Sequence, residues 1–328
     1  MDEHMQEPTI IEAHSSYVLG LKFTRDSQTL ISAGMDNVVK LWSAPDWELI
    51  RTFEGHANSV NSFSLSPDET TLATGSSDNT VKLWSFPDGQ VLHTLQDRKK
   101  TVAAVQVSPD GQWVAAGSYG GRAMVWTLAG EEVIGIKVSQ KNLSSVAFSP
   151  DSKTLAASGL GPDISLWSLP AGERIRTLPT ADVAVGSLTF INDGRYLVSV
   201  DYGGTVRFWD TATWQEVRTI EPGEAGVRGI AFSPDESAVA LSLQGKVQVR
   251  SVDDWSLEEQ LSVSTKVVNG MAFSPDGQWL AAGAADRKIR VWRRCRRLKP
   301  RLPLRSGVLR PLPSIVPSLS RGLSRGLS

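Results

Sequence analysis

Seven aspartates, Asp26, Asp68, Asp110, Asp151, Asp193, Asp235 and Asp276, recur at intervals of 42, 42, 41, 42, 42 and 41 residues. A fixed period of this length marks one supersecondary unit copied and stacked along the chain. The tryptophans keep the same interval at Trp42, Trp84, Trp126, Trp167, Trp209 and Trp292, with Arg250 in the remaining slot. Five of the aspartates sit in the tripeptide Ser-Pro-Asp, a turn signal between two short apolar runs. Such a chain must bury each unit against its neighbours. Its function is therefore that of an array rather than of one catalytic pocket.

The second unit shows how each copy folds. Ser59–Ser66 alternates around Val60, Phe63 and Leu65, and the Pro67-Asp68 turn leads into Thr70–Ser76. A turn at Ser76–Asn79, the run Thr80–Ser85, a turn at Pro87-Asp88-Gly89 and the run Gln90–Gln96 complete it. Four short runs rich in Val, Leu and Trp between Asp/Gly/Pro turns predict a four-stranded antiparallel meander. No segment sustains helical periodicity, so the predicted class is all-β.

The residues at fixed places in the first two units carry a family resemblance. His56, Thr74, Asp78 and Trp84, like His14, Ser32, Asp36 and Trp42, resemble the WD-repeat pattern. In that family the His, Ser/Thr, Asp and Trp hydrogen-bond across one blade. The resemblance spans residues 9–292 and implies a seven-bladed β-propeller of four-stranded antiparallel blades around a central channel. The segment Pro8–His14 reads as a lone outer strand, and the seventh unit lacks one. The N-terminal strand is therefore expected to join blade seven and close the ring, leaving no bare edge there. Departures are plain: Gly120, Gly161, Gly203 and Gln244 hold the Asp slot in units three to six. Those blades are expected to rely on apolar packing alone, and blade six, with Arg250 for Trp, to be the least regular.

Enzymatic chemistry finds little support. Four histidines, His4, His14, His56 and His93, are scattered, and no His/Cys spacing matches a zinc site. Nucleophile-elbow and phosphate-loop motifs are absent. Each repeated aspartate is expected to stabilise its own turn rather than to bind metal, and no cofactor is called for. The single cysteine, Cys295, cannot form an internal disulfide, and the acidic start Met1-Asp2-Glu3-His4 lacks a secretory pattern. With no apolar run long enough to span a bilayer, a cytoplasmic location is expected.

The function the resemblance implies is a non-catalytic interaction scaffold for a protein or peptide partner, monomeric on its own. WD-repeat propellers present partners with the narrower face and channel mouth, through three positions per blade. Mapped onto this sequence, the candidate contact residues are Tyr17, Met35, Asn61, Tyr119, Asn142, Tyr202, Arg228 and Asn269, with Leu160 and Leu243 at equivalent places. Aromatic residues, Met and Arg are enriched at interface centres. Trp47, Trp214 and Trp255, in turns on the opposite face, suggest either a second docking patch or packing against adjacent turns.

Charge divides the chain. Residues 1–292 hold 24 basic and 35 acidic residues, a net −11, whereas ten basic and no acidic residues follow from Arg293. Residues 1–295 are thus read as the propeller. Residues 296–328 are read as a disordered basic tail rich in Pro, Ser and Leu. The alternative function is a nucleic-acid- or anionic-surface-associated factor acting through that tail. The break in pattern at Trp292 is also what a shifted reading frame would produce.

Overall fold

Alternating Val, Leu, Ile and Trp in runs of about six residues leave one choice for each unit, a short strand paired with the next. The computed structural model describes residues 7–96, 100–180, 183–221, 227 and 229–294. Strand β1 (Thr9–Glu12) precedes the first unit, which comprises β2 (Val18–Phe23), β3 (Thr29–Gly34), β4 (Val39–Ser43) and β5 (Leu49–Phe53). The second comprises β6 (Val60–Leu65), β7 (Thr71–Ser76), β8 (Thr80–Ser85) and β9 (Val91–Gln96). The third holds β10 (Val102–Val107), β11 (Trp113–Ser118), β12 (Arg122–Thr127) and β13 (Glu132–Lys137). The fourth holds β14 (Leu143–Phe148), β15 (Thr154–Gly159), β16 (Asp163–Ser168) and β17 (Arg174–Pro179). The fifth holds β18 (Val185–Ile191), β19 (Tyr196–Asp201), β20 (Val206–Asp210) and β21 (Gln215–Ile220). All five are four-stranded sheets in chain order with antiparallel pairing.

The remaining strands form one seven-stranded sheet. They are β22 (Gly229–Phe232), β23 (Ala238–Ser242), β24 (Gln244–Ser251), β25 (Leu257–Phe273), β26 (Trp279–Ala284) and β27 (Lys288–Arg293). Their order is β1-β27-β26-β25-β24-β23-β22. Leu257–Ser262 of β25 pairs with β24, and Val268–Phe273 pairs with β26, so one strand serves as the outer strand of unit six and the inner strand of unit seven. At the other edge β1 pairs antiparallel with β27, from Thr9 opposite Val291 to Glu12 opposite Lys288.

Burial follows strand position. The second strand of a unit is covered on both faces by neighbouring sheets, and every residue of β7 is buried. Outer strands face solvent and keep one buried apolar side chain near their end, as Phe53, Leu95, Ile136, Leu178 and Ile220 do. These side chains join clusters that run between sheets rather than within them. Ile31, Leu41 and Phe53 of unit one pack with Val60, Leu72 and Trp84 of unit two. Unit one also packs on the sheet formed by β1 and unit seven, where Phe23, Trp42 and Trp47 meet Ile11, Ala272, Ala281, Ile289 and Val291. Burying one such side chain contributes about 1.5–3 kcal/mol, so the sheet-to-sheet seams dominate stability.

Trp47, Trp214 and Trp255 are packing residues, which removes the second docking patch from consideration. Trp47 and Trp255 are buried, and Trp214 packs against the cluster around Leu178 and Trp209. Trp47 meets Trp279 edge-on at 5.2 Å between ring centroids, and Phe23 at 6.3 Å. All three tryptophans have left-handed backbones, with φ of 60°, 57° and 62°, at the place where units two to four have Gly89, Gly130 and Gly172. That conformation costs a non-glycine residue roughly 1–2 kcal/mol, which the buried indole offsets.

Candidate functional site

The repeat aspartates close their own turns. In six units a Ser or Thr hydroxyl donates to the aspartate Oδ1 two residues on, at 2.5–2.7 Å. The same Oδ1 accepts the backbone N–H two residues further, as from Gln28 at 2.9 Å and Gln278 at 3.0 Å. Hydrogen bonds from Ser66 and Thr70 hold the Asp68 carboxyl below the usual carboxylate range. Among the described residues no group of three or more His, Cys, Asp or Glu side chains is placed to hold a metal ion.

At the other end of the inner strands lies a different geometry. The ladder between first and second strands breaks register at the same place in six units, skipping Leu19, Asn61, Ala103, Ser144, Gly186 and Asn269. A bulge releases its residue from the ladder and re-aims the side chain. Residues at or beside these bulges, together with Gly229 and Ile230 of unit six, line one cavity of about 300 Å³. Its wall is built mainly from Gly, Ala, Ser and Asn.

The loops around this cavity hold the sequence-selected residues. A backbone hydrogen bond ties the residue before the Asp slot to the loop entering the inner strand. It joins Met35 to Tyr17 at 2.8 Å, Tyr119 to Thr101 at 2.9 Å, Leu160 to Asn142 at 2.9 Å and Tyr202 to Ala184 at 3.0 Å. Tyr17, Met35, Tyr119, Leu160 and Tyr202 are all exposed, Tyr119 the most at 52%. Tyr202 lies over Gly186, where a Cβ would sit 3.1 Å from its ring, and its hydroxyl donates to Ser144 Oγ at 3.3 Å. Tyr17 lines a cleft of about 490 Å³ with Leu19, Gln244, Lys266, Val267 and Asn269.

Other selected residues are placed differently. The amides of Asn61 and Asn269 are half-buried and donate to Val102 O at 2.8 Å and Val18 O at 3.0 Å, linking adjacent inner strands. The side chain of Asn142 is half-buried. Arg228 lies outside the described residues, as does the tail 296–328. Leu243 turns into the cluster with Val227 and Val239, and Gln244 takes the exposed place beside the cleft. Sequence reasoning gave Gln244 only as a departure in the Asp slot and passed over Lys266. Lys266 had a signal, because Lys100 and Lys141 stand at the same step before their inner strands.

The polar residues of units one and two form continuous chains. Trp84 Nε1 donates to Thr74 Oγ1 at 2.8 Å, Thr74 Oγ1 meets His56 Nε2 at 2.7 Å, and His56 Nδ1 meets Asp78 Oδ2 at 2.7 Å. In unit one Trp42 donates to Ser32 at 2.9 Å, and His14 joins Ser32 and Asp36 at 2.8 Å each. Burial pushes the His56 pKa down, against the attraction of Asp78. A neutral imidazole donating to the carboxylate and accepting from the threonine satisfies every member. For Asp78 burial acts upward, but bonds from Thr80, His56 and Ala57 N–H outweigh it and hold the pKa at about 2.

Units five and six do not rely on apolar packing alone, the arrangement expected for units three to six from their sequences. In unit five Asp201 accepts Arg207 Nη1 at 2.7 Å and Thr205 N–H at 2.9 Å, and Trp209 donates to Ser199 at 3.0 Å. The carboxylate has moved two residues ahead of its usual slot, where an arginine of the next strand replaces the histidine. In unit six Arg250 bonds Gln248 Oε1 at 2.9 and 3.1 Å and Trp255 O at 3.0 Å. The guanidinium's several donors satisfy neighbours that an indole could not.

Comparison with known proteins agrees with this geometry. The family model described as "IFT122 first beta-propeller" matches residues 17–225, more than half of the chain. The chain belongs to the WD-repeat β-propeller family. A second model, "WD domain, G-beta repeat", matches residues 255–293. An uncharacterized WD repeat-containing protein of Synechocystis sp. is 39% identical over 66 residues, which are 20% of this propeller chain and 19% of that relative. WD-repeat propellers are generally protein-interaction scaffolds rather than enzymes. No helix among the described residues is long and apolar enough to cross a membrane.

Proposed function

We propose that this propeller is a non-catalytic scaffold that receives a protein or peptide on the face around the channel mouth. One observation carries the reading: Tyr17, Met35, Tyr119, Leu160 and Tyr202 are exposed together on the loops of that face. Clustered exposed apolar side chains mark interaction sites. The repeated backbone bonds beneath them hold the loops in fixed positions, so little ordering is required on binding. The seven units form seven blades of a closed ring, with residues 1–295 as the propeller and β1 completing blade seven. Support for closure comes from the β1–β27 pairing and from the packing of unit one on unit seven.

The test is an affinity capture with the full chain and a Tyr119→Ala/Tyr202→Ala variant matched for thermal stability, each eluate identified by mass spectrometry. Loss of a defined protein from the variant eluate is expected. An unchanged eluate would mean that the tyrosines merely line the channel and that the partner, if any, uses another face.

A further inference from the structure

Charge is placed differently on the two faces of the ring. The turn face carries the repeat aspartates together with Asp88, Glu131, Asp253 and Asp254. Acids near the mouth are occupied within the fold: Asp36 by His14, Asp78 by His56, Asp201 by Arg207 and Asp286 by Arg290. Glu54, Asp163 and Glu221 are exposed on that face but follow an outer strand or open a third strand, away from the lumen. Lys100, Lys141 and Lys266 are exposed at the opposite radius, just before inner strands β10, β14 and the unit-seven part of β25. Among the described residues the inner rim of the mouth is therefore cationic, on a body whose residues 1–292 sum to −11.

These lysines stand among the exposed apolar residues of the loops. A Cβ on Gly120 would lie 3.3 Å from Lys100 Cγ, so the Lys100 stem rests against Gly120, the residue that follows Tyr119. Lys141 adjoins Asn142, whose carbonyl oxygen fixes Leu160. On the other side of the ring Lys266 and Tyr17 share the cleft of about 490 Å³ with Leu19 and Val267. Cation next to aromatic occurs in unit three and again across units seven and one, and in unit four the cation stands near the exposed aliphatic Leu160.

Resting on the mouth as the docking face, we infer that its partner is an acidic peptide segment with a bulky apolar anchor. Carboxylates of the segment pair with Lys100, Lys141 and Lys266, and the anchor enters the cleft beside Tyr17. Complementary charge would speed encounter and select the face, while the anchor supplies most of the affinity. Nucleic acid fits less well, because three separated lysines on an acidic body neutralise too few phosphates for tight binding.

The experiment selects phage-displayed random dodecapeptides on the full chain, then measures the enriched peptides by fluorescence anisotropy. Lys100→Glu/Lys141→Glu/Lys266→Glu is compared with Lys153→Glu/Arg195→Glu on the turn face, both checked for folding by near-ultraviolet circular dichroism. The expected peptides are acidic with one large apolar residue. They should lose at least tenfold in affinity on the mouth variant, keep it on the turn-face variant, and weaken with salt. Basic or neutral peptides, or no enrichment, would overturn the inference, as would tighter binding of a single-stranded oligonucleotide at the same lysines. Peptides indifferent to the lysine reversals but lost with Tyr119→Ala/Tyr202→Ala would sink the acidic partner and leave the docking face standing. Indifference to both sets would remove both.

Discussion

Asn269 donates its side-chain amide to the carbonyl oxygen of Val18 at 3.0 Å, bridging 251 positions of sequence. Asn61 makes the equivalent bond to Val102 at 2.8 Å, over 41 positions. The junction between the last and first units thus repeats an internal one. Both asparagines sit at the inner-strand bulge, where the side chain is free to reach the neighbouring strand. Removing either amide should cost about 0.5–1.5 kcal/mol, the net value of a hydrogen bond. Urea titrations of Asn61→Ala and Asn269→Ala are expected to lose similar stability with unchanged slopes. A loss confined to Asn61→Ala would mean that the junction opens in solution.

A second relationship ties the turns together. The residue after each repeat aspartate is left-handed: Ser27, Glu69, Ser152 and Glu236 in four units, Gly111, Gly194 and Gly277 in the others. Each side chain of the four accepts a backbone N–H from the preceding unit's turn, as Glu69 does from Arg25 at 2.6 Å and Ser27 from Asp276 at 3.1 Å. Glu69→Gly relieves roughly 1 kcal/mol of backbone strain but forfeits a charge-assisted bond of about 1.5–3 kcal/mol. The balance is a loss of about 1 kcal/mol, and Glu69→Ala, which keeps the strain, should lose more. Thermal melts of the two variants, ranked wild type, Gly, then Ala, check this. A glycine variant more stable than wild type would refute the latch.

Unit four offers a stabilising change. The Trp167 indole N–H is buried without a hydrogen-bond partner among the described residues, and Ala157 stands where Thr74 and Ser199 serve Trp84 and Trp209. A buried donor left unpaired costs about 1–3 kcal/mol. Ala157→Ser is expected to recover about 1 kcal/mol, seen as a higher urea midpoint. No gain, together with no gain in Trp167→Phe, would show that the indole nitrogen is solvated in another way.

Acid should loosen unit two in two stages. The His56 pKa is lowered in the fold by burial, so its stabilising neutral form is lost as pH falls from 6.5 toward that lowered value. The Asp78 pKa is lowered from 3.8 to about 2, so its contribution, complete above 3.8, is lost as pH falls toward about 2. After allowing for solvent screening this second stage amounts to roughly 1 kcal/mol. His56→Gln/Asp78→Asn should flatten the stability profile across both windows, measured by urea midpoint against pH. An undiminished slope would place the acid sensitivity elsewhere.

The period and the turn aspartates were legible because six of the seven copies repeat the same local chemistry, Ser or Thr with Asp two residues on. Strand order followed from the same runs. The bulge was not legible: its residues are Leu19, Asn61, Ala103, Ser144, Gly186 and Asn269, types with no shared property. What creates it is backbone geometry at the crowded inner edge, which a one-dimensional pattern does not encode. Compensation was equally hidden. Asp201 with Arg207, and Arg250 with Gln248, replace missing motif members through contacts that only the folded sheet brings together. At the mouth Tyr17, Tyr119 and Tyr202 were found by position, whereas Leu243 followed its apolar surroundings inward.

The pairing of β1 with β27 sets a clock on biosynthesis. Glu12 and Lys288, joined by an ion pair at 2.5 Å, are 276 positions apart. At translation rates of about 5–20 residues per second, roughly 14–55 s separate their emergence from the ribosome. Through that interval Ile10 and Ile11 belong to a strand whose partner has not yet been made, while the first units are already complete. The nascent chain therefore carries a sticky, unmatched end for most of its synthesis, and chaperone demand should peak before the last unit appears, not after.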